Sequence, residues 1–81
     1  MTERVLVADD DPDILTVVKV NLELDGFEVD TAVDGEDALQ KATSNPPDVI
    51  ILDIMMTRMD GLTALHRLRS QAATASIPII L

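Results

Sequence analysis

Apolar positions along this chain follow two rhythms. Short, nearly continuous β-branched runs, RVLVA at 4–8 and VIILDI at 49–54, predict strands covered on both faces. FEVDT at 27–31 alternates instead, setting Phe27, Val29 and Thr31 against Glu28 and Asp30. One side of it meets water, which places it at a sheet edge. IPIIL at 77–81 predicts a fourth strand, with Pro78 tolerable near its start.

Between the strands the spacing lengthens. Ile14, Val18 and Leu22 recur every fourth residue, Leu15, Val17 and Leu24 widen the stripe, and Asp25-Gly26 supplies a stop. Ala38, Leu39 and Ala42 mark a shorter helix, entered through Asp34-Gly35 and closed before SNPPD, where two prolines forbid continuation. A third helix follows Asp60-Gly61 and turns Leu62, Leu65, Leu68 and Ala72 inward.

The order is β-α-β-α-β-α-β, which implies one α/β domain with a parallel sheet, three helices on its faces and right-handed crossovers. With the second strand at an edge and the first and third central, the expected spatial order is 2-1-3-4, that of the flavodoxin-like class. Ligands of such sheets sit beyond the carboxyl ends of the strands at the switch point, here between the first and third.

Composition narrows the setting. At 81 residues the chain forms at most one domain, burying about two-thirds of its unfolded surface. Without cysteine it has no disulfide or thiolate metal site, which fits a reducing compartment, and cytoplasm is the expected location. The N-terminus lacks a signal-peptide core, and no apolar run approaches the ~20 residues of a membrane helix, so no membrane partner is expected.

The formal charge is −9, and residues 1–53 hold 14 acids against Arg4, Lys19 and Lys41. That surface repels phosphate backbones, so direct nucleic-acid binding is not expected, whereas cations are attracted.

The acids of VLVADDDPD (5–13) need a reason beyond solubility. Asp9 and Asp10 end the first strand and Asp53 sits near the end of the third. Neighbouring parallel strands lie ~4.8 Å apart, so the three converge in one crevice. Two unit charges ~4 Å apart in a partly exposed site repel by about 4 kcal/mol, which protonation or a cation must relieve. Clustered carboxylates and water suit a hard divalent ion such as Mg2+.

Asp11, Pro12 and Asp13 read as an N-cap, a proline at the first helical position and an acid favourable to the dipole. A calcium loop on Asp9, Asp11 and Asp13 fails, because it needs Gly where Ile14 stands and Glu where Val20 stands.

VLVADDDPDI, VDGEDAL and PPDVIILDIMMTRMDGL together resemble the receiver domain of two-component response regulators, of the chemotaxis-regulator-like kind, along all 81 residues. The resemblance implies that Asp53 is the phosphoryl acceptor, Asp10 a direct Mg2+ ligand and Asp9 a partner acting largely through water. The Met55 carbonyl supplies a further metal contact. It also implies a sensor histidine kinase as donor and self-catalysed dephosphorylation, and the chemistry is coherent: a carboxylate can act as nucleophile when a metal neutralises the moving phosphoryl group.

Two departures qualify the resemblance. The family commonly has proline four residues after the acceptor, whereas Thr57 leaves the loop less constrained and restores a backbone donor. The family fold also has five strands; beyond the fourth it carries a hydroxyl residue, a helix, a strand bearing a lysine, and a last helix. The expectation is therefore an incomplete receiver lacking its switch residues, with a strand edge and a sheet face open to self-association or to a complementary fragment.

The competing function is that of an assembly or binding module without phosphotransfer. A paired-aspartate phosphatase fits less well, since such enzymes place the nucleophile on the first strand. His66, Arg58, Arg67 and Arg69 are expected on solvated faces, and Met55, Met56 and Met59 in loop packing.

Overall fold

The structure, a computed structural model, describes residues 2–56 and 58–81. Its elements are β1 (Arg4–Ala8), α1 (Pro12–Leu24), β2 (Glu28–Ala32), α2 (Gly35–Ser44), β3 (Val49–Leu52), α3 (Gly61–Arg69) and β4 (Ile79–Ile80). The four strands form one sheet in the order β2-β1-β3-β4, and each pairing is parallel. This is the flavodoxin-like arrangement expected from the alternation of strands and helices.

Because side chains alternate across a strand, β1 and β3 feed two cores. Leu6, Ala8, Ile50 and Leu52 join Ala38 and Ala42 of α2 and Ala64 and Leu68 of α3 on one face. Val5 and Val7 meet Leu15 of α1 on the other, with Val49 and Ile51 partly covered there. Two helices thus cover one face of the sheet and a single helix covers the other.

Helix rotation departs from the hydrophobic stripes in two places. On α1 the inward line is Leu15, Val18 and Leu22, while Ile14, Val17 and Leu24 are exposed. On α3, Gly61, Ala64 and Leu68 are buried, whereas Leu62 is exposed and Ala72 lies in the turns beyond the helix. The cause on α3 is close packing: a Cβ built on Gly61 would collide with the carbonyl oxygen of Asp53 and stand 2.9 Å from Cα of Ile54. The smallest residues therefore set which side faces the sheet, and Leu62 is carried outward.

Strand limits shift slightly. β2 runs one residue later than FEVDT, β3 ends at Leu52, and β4 is only Ile79–Ile80, with Ile77 buried just before it. Asp30 is half-buried, not fully wet, because Lys41 reaches over β2, donating to the Thr31 carbonyl and standing 4.0 Å from Asp30. No described helix is long and apolar enough to cross a membrane.

Candidate functional site

The ladder delivers the acids. Ala8 pairs with Leu52 at the end of β1 and β3, and the next residue on each strand is an aspartate. The Asp53 N–H donates to the Ala8 carbonyl at 2.9 Å, and the Asp9 N–H donates to the Ala32 carbonyl at 3.1 Å. Both acids are thus held by their own backbones at the carboxyl edge of the sheet.

Asp9, Asp10 and Asp53 each offer a carboxylate oxygen, and these oxygens lie within 4.8 Å of one another. Asp9 and Asp53 are half-buried and Asp10 is exposed. Each fully charged pair repels by about 3 kcal/mol at an effective dielectric of ~20, less where water reaches Asp10. Among the described residues no basic side chain forms an ion pair with any of the three; the ion pairs of Arg4, Lys41 and Arg58 all lie elsewhere.

The residues present fit a hard cation. All donors are carboxylate oxygens, the ligand type that Mg2+ takes, so Asp9, Asp10 and Asp53 could hold such an ion between them.

The preceding loop is organised by its own acids. The Asp11 N–H donates to Asp9 Oδ1 at 2.9 Å and the Asp13 N–H donates to Asp11 Oδ1 at 2.9 Å, so Asp11 caps α1 as its position before Pro12 implies. Asp9 therefore also serves the turn, a role that its place before the cap does not suggest.

On the other side of the crevice the Met55 N–H donates to Asp53 Oδ1 at 3.2 Å, and the Met55 side chain is exposed. Met56 is buried and Met59 is packed against the core, as expected of loop methionines. Thr57 lies outside the described residues.

Two features, the partners of Arg58 and of Arg69, escape a reading by sequence. Arg58 is engaged: its guanidinium donates to Glu36 Oε2 at 2.7 Å and stands 3.7 Å from Asp34 Oδ2. Asp34 is buried and caps α2 with its other oxygen, accepting from the Asp37 N–H at 2.7 Å. Arg69 also has partners, donating to the carbonyls of Ala75 (2.8 Å) and Ile77 (2.6 Å), so it braces the turns after α3. No local spacing signals a pairing such as Arg58 with Glu36. His66 and Arg67 are exposed, as expected.

A parallel sheet in this order with an acidic triad at its switch point defines a flavodoxin-like α/β module with a candidate cation site. The family model of the response regulator receiver domain matches residues 5–81, and the chain belongs to that family. It is 45% identical over 71 residues to the alkaline phosphatase synthesis transcriptional regulatory protein PhoP of Bacillus subtilis, covering 88% of this chain and 30% of that protein.

Among solved structures, the N-terminal domain of a response regulator receiver protein from Methanoculleus marisnigri superposes with a TM-score of 0.93 at 40% identity, over 98% of this chain and 64% of that one. The receiver domain of sensor histidine kinase PA1611 from Pseudomonas aeruginosa, which has a magnesium ion coordinated in its active-site cleft, gives 0.93 at 28% identity, over 98% and 65%. The chain thus spans about three-tenths of the curated relative and just under two-thirds of these solved neighbours.

Proposed function

We propose that this chain is a phosphoacceptor module of a two-component system, taking a phosphoryl group onto Asp53 from a phosphohistidine of a sensor histidine kinase. The observation that carries the reading is the convergence of oxygens from Asp9, Asp10 and Asp53 within 4.8 Å. A carboxylate oxygen of Asp53 attacks phosphorus; the P–N bond to the donor imidazole breaks as the P–O bond forms, and the imidazole leaves with the electron pair and takes up a proton.

Asp10 and Asp53 are the direct Mg2+ ligands in this reading, Asp9 acts through water, and the Met55 carbonyl adds a contact. Bound there, Mg2+ supplies charge neutralisation for the transferring phosphoryl group. The Met55 N–H on Asp53 Oδ1 orients the nucleophile. A cytoplasmic setting, with no direct nucleic-acid contact by this stretch, goes with the reading and with the acidic surface.

The test is incubation with Mg2+ and a small acyl phosphate donor, followed by intact mass. One phosphoryl adduct is expected, absent in Asp53→Asn. A folded wild-type protein that takes no adduct would overturn the reading.

A second reading, assembly without phosphotransfer, draws support from β4, where Ile80 and Leu81 are about half exposed beside a sheet edge. It predicts self-association by light scattering at micromolar concentration that persists in Asp53→Asn. A monomer under those conditions counts against it.

A further inference from the structure

The loop after β3, described at residues 53–56 and 58–60, carries Met55 past the acids and enters α3. It is fastened at its own base, where the Gly61 N–H donates to the Ile54 carbonyl at 3.0 Å. Its far side rests on α2. A Cβ built on Gly35 would collide with the carbonyl oxygen of Met59 and stand 2.8 Å from the Met59 Cβ, so the loop backbone lies directly on the first residue of that helix.

One residue earlier, Arg58 bridges to the same helix start, bonding Glu36 and facing Asp34. It is the only basic residue between Asp53 and Asp60. Asp34 is 5% exposed and held by its capping bond, so one of the two acids that Arg58 faces is fixed, while the Arg58 and Glu36 side chains are mostly exposed.

Resting on the phosphoacceptor reading of the acids, we propose that Arg58 is a positioning residue. Its fork on Glu36 and Asp34 holds the β3–α3 loop against α2 and so fixes the Met55 backbone relative to Asp53. Electrostatics alone predicts the opposite sign for its removal: deleting a positive charge near an acidic cluster should tighten cation binding. A misplaced ligand set weakens it; loss of a group bonded directly to a metal ligand typically costs about ten- to a hundred-fold in metal affinity, and Arg58, which acts one contact further out, is expected to cost less. The pair is exposed, so it adds little global stability, and its effect is expected in loop order and metal affinity.

The experiment compares wild type, Arg58→Ala, the charge-keeping Arg58→Lys, and Glu36→Gln, which removes one of the two acids Arg58 faces. Amide chemical shifts follow Mg2+ titration, and amide hydrogen exchange at Met55 and Gly61 is followed without metal. Expected are Mg2+ binding weakened by up to about ten-fold and faster exchange in Arg58→Ala, a smaller loss in Glu36→Gln, and partial recovery in Arg58→Lys.

Unchanged or tighter Mg2+ binding by Arg58→Ala, or exchange at Met55 no faster than in wild type, would overturn the proposal. Wild-type protein that binds no Mg2+ would remove the phosphoacceptor reading instead. The exchange rates then still decide whether Arg58 holds the loop.

Discussion

The backbone N–H of Asp53 donates to the carbonyl of Ala8 at 2.9 Å, one step past the last paired residues of β1 and β3. The hydrogen-bond ladder therefore runs into the acidic cluster, and stiffness of the sheet is spent holding like charges together. Four expected outcomes follow from this and neighbouring contacts.

Asp10→Asn should stabilise the metal-free protein by about 0.5–1 kcal/mol, since it removes the most exposed of three mutually repelling carboxylates. Added Mg2+ should shrink or reverse the advantage, because a ligand bound only by the folded state stabilises in proportion to its affinity. Thermal melts with and without Mg2+ check this; an Asp10→Asn protein that is less stable in both conditions would contradict it.

Gly61→Ala should cost about 1–3 kcal/mol, because its methyl group has only the Asp53 carbonyl and Ile54 Cα to occupy. The displaced α3 would also shift Asp53. Urea unfolding gives the stability loss, and amide shifts around Asp53 report the movement; a neutral substitution would show that α3 can slide.

Leu68→Ala should cost about 2–5 kcal/mol and Leu62→Ala less than about 0.5 kcal/mol. The first side chain is fully buried and the second is 56% exposed. Equal losses would mean that α3 is rotated from the orientation described.

Asp60 caps α3 by accepting the Thr63 N–H at 2.7 Å. The Thr63 backbone bond first, and the Thr63 side chain second, hold its carboxyl below the ordinary aspartate value. A depressed folded pKa means a contribution fully present above the unfolded aspartate range and lost as pH falls through the folded value. Asn keeps the cap without the charge, so any stability gap between wild type and Asp60→Asn should narrow below about pH 4. Paired thermal melts across that range test it; a gap that widens on acidification would contradict the assignment.

Much of this fold is legible from residue order because strands and helices announce themselves differently. β1 matches RVLVA residue for residue, and Asp11, Asp34 and Asp60 each cap the helix that follows them. What misleads is any stripe judged by hydrophobicity alone. Leu62 looks like a better core residue than Gly61, yet contact with the Asp53 carbonyl admits only the glycine.

The acids of the site were legible as a topological consequence, since strand order alone brings positions 9, 10 and 53 to one edge. The Arg58 bridge was not, because Arg58 and Glu36 lie 22 residues apart on a loop and a helix whose contact depends on finished packing.

Every strand pairing in the sheet joins distant stretches: Arg4 meets Glu28, Val5 meets Val49 and Ile50 meets Ile79. Among the described residues no hairpin is available as a quick local nucleus, so pairing of these strands has to wait on long loop closures. The earliest of these four strands is also an interior one, and it stays open along one side until residues 49–52 have been made. During synthesis RVLVA therefore waits for its first neighbour until residues 28–32 are made and keeps its other edge open until residues 49–52 follow, a window in which wrong partners compete for it.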